Sequence, residues 1–340
     1  ETITPVIAFT PDVGDTLKSV GGSWSDQTTY VATYDVVDAG VTVPAVKIDI
    51  FGAQDPAGLP QTAFSADNFL TIDTIAPTVT VNQGTGQNDP SANATLVFRA
   101  VFSEPVSTLA GTDVKVSGTA PGSKSVNPVA VGSDGATYDL QVTGMTGAGT
   151  VIVSIDAGKV HDAAGNMNTA STSTDNAVLD VPTEGSIDFL EKPGQNPSGN
   201  PLWYSFQNAR AGVVSVEAIT TGPSTSTSLA LFDVNGAALG TSAPVNGNQR
   251  VDYTASASGQ TFFVKLTGAS TATDVKLRIT NLVSQSGTAL TVAGTIAADT
   301  LTCTVSPCQV TIDGVLYTFA AGAITSVTFD GGAGTDTANL

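Results

Sequence analysis

"TYDLQVTG" at residues 137–144 alternates apolar and polar side chains and ends on glycine, which is the pattern of a half-buried strand that runs into a turn. Comparable segments occur at six other places between residues 77 and 181: "TVTVN", "ATLVFRAVF", "TDVKVSG", "VNPVAVG", "GTVIVSID" and "NAVLDV". Seven short strands separated by Gly, Asn and Asp are typical of a β-sandwich of about 100 residues. The sequence therefore predicts one such sandwich over residues 77–181.

An internal repeat extends this prediction toward the N terminus. "AQDPAGLP" (53–60) matches "VHDAAGNM" (160–167), and "LTID" (70–73) matches "AVLD" (177–180), both at an offset of 107 residues. Three residues of the first segment thereby correspond to three of the second, namely Asp55 to Asp162, Gly58 to Gly165 and Asp73 to Asp180. We predict an incomplete copy over residues 1–76 that lacks its first two strands. Either the sequence is a piece cut from a longer chain, or a strand from another chain completes the sandwich.

Composition limits the classes of partner. Charged residues make up 12% of the chain, the formal net charge is −18, and only five of the 30 acidic residues are glutamate. We expect no nucleic-acid partner, because binding a phosphate backbone requires clustered Lys and Arg. No run of apolar residues is long enough to span a membrane. Aspartates on turns suit Ca²⁺, although aspartate is also a common turn former in soluble chains.

Three strings, "FSEPV" (102–106), "DAAGN" (162–166) and "IDTIAPTVTV" (72–81), carry a family resemblance. Together they resemble the immunoglobulin-like repeats of large bacterial surface proteins and adhesins, over residues 1 to about 180. The resemblance implies tandem immunoglobulin-like sandwiches on the outside of a cell. The first copy departs from it, because "DPAGLP" has no asparagine after the glycine.

Residues 182–283 are of a second kind, with segments such as "PLWYSFQNARAGVVSVEAI" and "SLALFDVNGAAL". They resemble the pre-peptidase C-terminal module of secreted bacterial hydrolases, which implies a jelly-roll-like β-sandwich. Trp203 and Tyr204 could form a sugar-binding platform. Their alternation with Leu202 and Phe206 favours core packing for at least one of them.

Residues 284–340 predict a small β segment. Its last motif, "DGGAGTD" (330–336), resembles one copy of the glycine-rich repeat of RTX calcium β-rolls, which implies an incomplete calcium site at Asp336. Cys303 and Cys308 flank a Ser-Pro turn, so they either form a small disulfide in an oxidising compartment or remain two free buried thiols.

Catalysis has few candidate residues in this chain. His161 is the single histidine, and its counterpart in the first copy is Gln54, so we expect neither a Ser-His-Asp set nor a zinc site built on it. The few glutamates lie in different modules, which disfavours paired carboxylates for glycoside hydrolysis. We expect a chain that is not an enzyme.

Calcium has a better geometric basis. In a sandwich of this kind, the loop carrying Glu104 and the turn carrying Asp162 and Asn166 lie at the pole where the chain enters, and the entering linker brings Asp73. These four residues are the predicted Ca²⁺ ligands. The alternative is that Asp162 only makes a turn and Glu104 is solvated.

The sequence as a whole indicates a segment of a long extracellular bacterial protein with a structural or adhesive role. Its expected partners are copies of itself, neighbouring domains of a longer chain, or glycans and proteins of a cell surface. The chain begins at Glu1 without an initiator methionine, so we expect a mature product or an internal piece. Two alternatives remain: accessory modules of a secreted hydrolase, and a filament subunit completed by strand donation.

Overall fold

The structure is a computed structural model, and it describes residues 3–220, 226–269, 274–305 and 308–339. The described residues form 28 strands, and a short 3-10 turn lies at Gly111–Asp113. The strands assemble into facing sheets, which confirms the predicted all-β sandwich fold.

The first sandwich, residues 3–76, contains five strands. Their bounds are β1 (Val6–Thr10), β2 (Leu17–Trp24), β3 (Tyr30–Val36), β4 (Thr42–Phe51) and β5 (Phe64–Asp73). β4 lies between β1 and β5 in an antiparallel sheet, and β2 and β3 form a separate hairpin.

The second sandwich, residues 77–181, contains the seven predicted strands. Their bounds are β6 (Val79–Gln83), β7 (Leu96–Phe102), β8 (Val114–Ser117), β9 (Ser125–Ala130), β10 (Thr137–Thr143), β11 (Gly149–Ile155) and β12 (Ala177–Asp180). One sheet has the strand order β6-β7-β10-β9, and the facing sheet has the order β12-β11-β8.

The two sandwiches share a strand order. The sheet β5-β4-β1 corresponds to β12-β11-β8, and the hairpin β3-β2 corresponds to β10-β9. In the second sandwich β10 continues sideways to β7 and β6, whereas β3 has no such neighbours among the described strands. The described part of the first copy therefore contains no equivalents of β6 and β7.

The cores differ in the same way. The second sandwich encloses a cluster of seventeen buried apolar residues, with Phe98 and Leu140 fully buried. The cluster in the first sandwich has three, namely Val13, Val46 and Ile72. Twelve of the seventeen large apolar side chains that are exposed in the described chain lie between residues 3 and 75. A sheet that lacks two strands leaves the facing sheet uncovered, which accounts for this exposure.

The third module follows directly. Its strands are β13 (Thr183–Ile187), β14 (Phe189–Gln195), β15 (Leu202–Asn208), β16 (Gly212–Thr220), β17 (Thr227–Asp233), β18 (Ala238–Thr241), β19 (Ala243–Val245), β20 (Asn248–Ala255), β21 (Thr261–Gly268) and β22 (Val275–Ser286). The sheet β13-β15-β21-β17-β18 faces β19-β20-β16-β22, with β14 also paired to β22. Phe206, Leu231 and Leu277 are fully buried between them.

The C-terminal segment extends one of these sheets. Its strands are β23 (Ala289–Ala293), β24 (Thr300–Val305), β25 (Cys308–Ile312), β26 (Val315–Thr318), β27 (Ser326–Asp330) and β28 (Thr337–Asn339). β23 pairs with β22 and β27 with β23, while β26-β25-β24-β28 forms a separate sheet. The predicted boundary between residues 283 and 284 therefore lies inside the long strand β22, and the two parts share a sheet.

A buried arginine also joins the two parts. Arg250 of β20 is 4% exposed, and its Nη1 donates to the Leu316 carbonyl on β26 at 2.6 Å. Its guanidinium lies over the Tyr317 ring, 4.8 Å from the centroid. The C-terminal segment is therefore attached to the third module by a sheet and by a buried polar contact.

Candidate metal centre between the first two sandwiches

Three predicted residues meet at the joint between the first and second sandwiches. Asp73 ends β5, Glu104 follows β7, and Asp162 lies in the turn after β11. Carboxylate oxygens of the three lie within 4.8 Å of one another, and Asp162 is 3% exposed. Within the described part of the chain, this is the one group of three His, Cys, Asp or Glu side chains with ligand atoms so close. We call these three residues the joint cluster.

The turn that holds Asp162 is closed by hydrogen bonds to its carboxylate. Its Oδ1 accepts the backbone N–H groups of Ala164 at 2.8 Å and Asn166 at 2.9 Å. Gly165 has a φ of +96°, a conformation that a side chain would disfavour. Burial raises the pKa of Asp162, but hydrogen bonds from Asn166, Gly165 and Ala164 outweigh it, so the pKa is lowered overall. The Asp162 carboxylate is therefore fixed in place and ionised.

Asn166 joins the cluster through its amide nitrogen. Nδ2 donates to the Asp162 carboxylate at 2.8 Å and to the backbone carbonyl of Asp73 at 3.0 Å. In this orientation Asn166 ties the linker to the turn and positions the carboxylates, whereas the sequence predicted an oxygen ligand. The first copy has Leu59 at the equivalent position, so this tie is particular to the second sandwich.

The two remaining carboxylates differ in their support. Asp73 Oδ1 accepts the Thr42 hydroxyl at 2.8 Å and the Ile75 N–H at 3.1 Å. Burial raises the pKa of Glu104, and the charges of Asp162 and Asp73 raise it further. Ionisation of Glu104 is therefore disfavoured by the other two carboxylates, and a bound cation would instead favour it.

The same turn occurs without a cluster elsewhere. Asp55 Oδ1 accepts the N–H groups of Ala57 at 2.8 Å and Leu59 at 2.9 Å. Asp233, in the "FDVNG" turn of the third module, accepts two N–H groups in the same way. An aspartate at the start of such a turn thus stabilises the local backbone. Asp162 differs from Asp55 and Asp233 in the side chains that surround it.

His161 lies beside the cluster but is exposed. Its backbone is fixed by Ser107, whose N–H donates to the His161 carbonyl at 2.7 Å. The ring Nδ1 lies 2.7 Å from the carbonyl oxygen of Asp162, its own neighbour in sequence. The imidazole is therefore engaged with the turn backbone.

Asp180, the counterpart of Asp73, occupies a different environment. It is 2% exposed, and its Oδ2 has no hydrogen-bond partner among the described residues. Burial raises the pKa of Asp180 to about 6. It lines a cavity of about 370 Å³ beside Met145 and Thr183 at the joint to the third module. The repeat identified the position, but burial of the carboxyl depends on tertiary packing and has no local sequence signal.

Trp203 and Tyr204 lie on opposite faces of β15. Tyr204 belongs to the core, which confirms that one of the two packs there, and its hydroxyl donates to Gln195 Oε1 at 2.5 Å. Burial, with a smaller contribution from the Glu184 charge, raises the pKa of Tyr204 to about 12. Trp203 packs on Phe232, with ring centroids 5.5 Å apart, and lines a cavity of about 630 Å³ between the second sandwich and the third module.

The candidate residues in the C-terminal segment are Asp336, Cys303 and Cys308. Asp336 Oδ1 accepts the backbone N–H of Asp299 at 3.0 Å. Cys303 and Cys308 are free thiols, so the disulfide that the sequence permitted is not formed in this structure. The hairpin register is the reason, because it places Cys303 opposite Val310 and pairs Cys308 with Val305.

Comparisons with known proteins give only distant similarity. No protein family and no curated protein matches the chain. The pre-peptidase C-terminal domain of a collagenase from Bacillus anthracis is 12% identical, covering 29% of this chain and 95% of that one with a TM-score of 0.23. The secreted serine protease VesC from Vibrio cholerae is 9% identical, covering 60% of this chain and 50% of that one with a TM-score of 0.32.

A third solved structure is SGBP-B of the Bacteroides ovatus mixed-linkage glucan utilization locus, in complex with a heptasaccharide. It is 12% identical, covering 81% of this chain and 71% of that one with a TM-score of 0.18. Similarities at this level assign neither a family nor a function. Among the described residues, no helix is long and apolar enough to cross a membrane.

Proposed function

We propose that this chain is a non-enzymatic, extracellular structural or adhesive segment of a large surface protein, with a calcium-stiffened joint between its first two sandwiches. The proposal takes the two sandwiches as tandem immunoglobulin-like repeats. The observation that carries it is the joint cluster, in which carboxylates from residues 73, 104 and 162 approach within 4.8 Å. One belongs to the first sandwich and two belong to the second.

Electrostatics favours a cation at this place. Two like charges about 4 Å apart repel by roughly 1 kcal/mol in water and by about 4 kcal/mol near a protein surface. The basic side chains that form ion pairs in the described chain make them with other carboxylates. Ca²⁺ accepts about six to eight oxygens in irregular geometry, so three carboxylates and solvent could satisfy it.

A cation bound to all three carboxylates would have a mechanical effect. Asp73 is the last residue of β5, so a bond to it fixes the end of the first sandwich. Glu104 and Asp162 belong to two loops of the second sandwich. The ion would therefore add a fixed point beside the linker and restrict bending between the two sandwiches, which suits a protein that spans distance or bears load.

Thermal melts with Ca²⁺ and with chelator test the proposal. A ligand that binds only the folded state at a hundred times its Kd stabilises by about 2.7 kcal/mol, so Ca²⁺ should raise the transition of the second sandwich. Asp162→Ala should abolish this response. Asp55→Ala is the matched control, because it removes the same two backbone hydrogen bonds of the turn without touching the cluster, and it should keep the response. A wild-type protein whose melt is unchanged by chelator would contradict the calcium joint.

The first sandwich supports a second candidate function, a filament subunit completed by strand donation. Among the described strands, none pairs with β3 as β7 pairs with β10, and Val31 and Val36 of β3 are 49% and 64% exposed. A donated strand pair with the pattern of β6 and β7 would pair with this edge and cover that surface. Direct imaging, and titration of assembly against a peptide of residues 94–102, test the candidate. A chain that stays monomeric and folded, and that the peptide does not change, would exclude it.

The third candidate is a set of accessory modules of a secreted hydrolase. It predicts a peptidase or glycosidase domain in the same coding sequence, whereas the structural proposal predicts further repeats of about 105 residues. The full-length gene therefore distinguishes the two.

A further inference from the structure

The C-terminal segment contains a repeat at an offset of 37 residues. Residues 288–302 and 325–339 share Thr, Gly and Asp at five equivalent positions, among them Gly294 with Gly331 and Asp299 with Asp336. β27 pairs in parallel with β23, and β28 pairs in parallel with β24, both at this offset. We call residues 288–305 the first coil and residues 325–339 the second coil. Each coil is a strand, a six-residue turn and a second strand.

The turns of the two coils stack directly. The Gly294 N–H donates to the Asp330 carbonyl at 2.7 Å, and the Thr337 N–H donates to the Asp299 carbonyl at 2.9 Å. Between them, Asp336 Oδ1 accepts the Asp299 N–H. Asp336, the last residue in the turn of the second coil (the upper turn), therefore accepts a hydrogen bond from the backbone N–H of Asp299, the last residue in the turn of the first coil (the lower turn).

This stacking explains the glycines of "DGGAGTD". A Cβ atom added at Gly332 would lie 2.6 Å from the Thr295 carbonyl oxygen, and one at Gly334 would overlap the Ala297 carbonyl. The upper turn can approach the lower one only because it has no side chains at these points. The glycines thus mark a turn that sits on another turn, and this role needs no metal ion.

The stack is closed on one side and open on the other. Below, β22 pairs with β23 and β25 pairs with β24, both antiparallel. Above, β27 and β28 are the last strands of their sheets in the described chain. Leu290 and Val292 of the first coil are fully buried, whereas their equivalents Val327 and Phe329 are only partly buried.

We propose that the open edge formed by β27, residues 331–336 and β28 receives a third coil. The occupant is a polypeptide segment with the pattern of the second coil, two short strands around a glycine-rich turn that ends in Asp-Thr. It would extend both sheets by one parallel strand each, cover Val327 and Phe329, and bring its own aspartate to the Asp336 amide. A second copy of the first coil cannot be the occupant, because its lower edge is already paired with β22 and β25.

A chain extended by one coil tests the proposal. A flexible Gly-Ser linker of about 20 residues, the length that separates β24 from β27, is added after Leu340 and followed by a second copy of residues 325–339. Hydrogen exchange is measured in chelator, so that Ca²⁺ binding at the joint cluster does not affect the exchange rates. The tethered coil is present at an effective concentration of about millimolar. Amide exchange at Asp336 and along β27 should slow by about tenfold or more.

The matched control carries the same extension with two changes in the added copy, Gly→Val at the position equivalent to Gly334 and Asp→Ala at the position equivalent to Asp336. This copy cannot stack closely and has no carboxylate for the Asp336 amide. It should leave the exchange rates at their unextended values. Equal rates in the extended chain and the unextended chain would overturn the proposal, and so would equal protection by the control copy.

Discussion

The turn at Asp55 and the turn at Asp162 have the same backbone hydrogen bonds but different surroundings. Each aspartate accepts two backbone N–H groups from residues two and four positions later. Asp162 additionally faces Glu104 and Asp73, and it lies in a sandwich with a complete core. Asp55 lies in a sandwich with two fewer strands and an exposed apolar surface. The turn therefore belongs to the fold of each copy, while the cluster belongs to the joint between copies.

The largest expected difference between the two sandwiches lies in their cores. Phe98→Ala should lower the free energy of unfolding of the second sandwich by about 3–5 kcal/mol, because Phe98 is fully buried. Phe69→Ala should change the free energy of unfolding of the first sandwich by about 0.5 kcal/mol or less, since Phe69 is 52% exposed. Calorimetry that resolves the separate transitions measures both. Equal losses would mean that the first sandwich has a core that the described strands do not show.

The next effect is expected at Asp180, which ends β12 at the position equivalent to Asp73 of β5. Burial raises the pKa of Asp180 to about 6, above its ordinary 3.8, so the folded state holds this proton more tightly than the unfolded state. The stabilisation is present below pH 3.8 and is lost as the pH rises through 6. Asp180→Asn should therefore stabilise the protein by about 2 kcal/mol at pH 7.5 and flatten this pH dependence. Denaturant unfolding between pH 5 and pH 7.5 measures it, and a destabilised Asn variant would contradict the buried, unpaired carboxyl.

A smaller effect is expected at Glu104. Its pKa is raised by burial and then by the charges of Asp162 and Asp73. In chelator, stability should therefore rise as the pH falls from neutral through the raised pKa of Glu104, and Glu104→Gln should stabilise by about 1 kcal/mol at neutral pH. With Ca²⁺ the same substitution should weaken the calcium response. A Gln variant that is less stable than wild type in chelator would show that the three carboxylates do not repel one another.

The smallest effect is expected at the turn without a cluster. Asp55→Ala removes the acceptor of two hydrogen bonds whose donors are exposed to water, so the loss should be about 0.5–1 kcal/mol and independent of Ca²⁺. Calorimetry with and without the ion measures it. A calcium-dependent loss would place a metal at the first copy as well.

Much of this organisation follows from local patterns. Alternation located the seven strands of the second sandwich, because side chains on opposite faces of a strand meet core and solvent in turn. The offset of 107 residues identified the incomplete copy. Topology alone then placed Asp73, Glu104 and Asp162 at one pole, although they are separated by up to 89 residues in sequence.

Other features depend on tertiary packing. β22 runs through the expected boundary after residue 283, because it pairs with β16 up to Val283 and with β23 from Val283 to Ser286. The offset of 37 residues preserves the residue at only five positions, and its structural basis becomes visible in the parallel pairing of β23 with β27. The hairpin register places Cys303 and Cys308 in different cross-strand pairs with the Thr304–Gln309 pair between them, which the sequence spacing alone does not reveal.

The most direct test of the calcium joint is a distance distribution between the two sandwiches. Spin labels at exposed Thr33→Cys and Lys115→Cys, in a chain with Cys303→Ser and Cys308→Ser, report the distance between the sandwiches by pulsed electron paramagnetic resonance. Calcium should narrow the distribution, chelator should broaden it, and Asp162→Ala should keep it broad in both conditions while Asp55→Ala behaves as the parent chain does. Identical distributions with calcium and with chelator in the parent chain would contradict a joint that the ion stiffens.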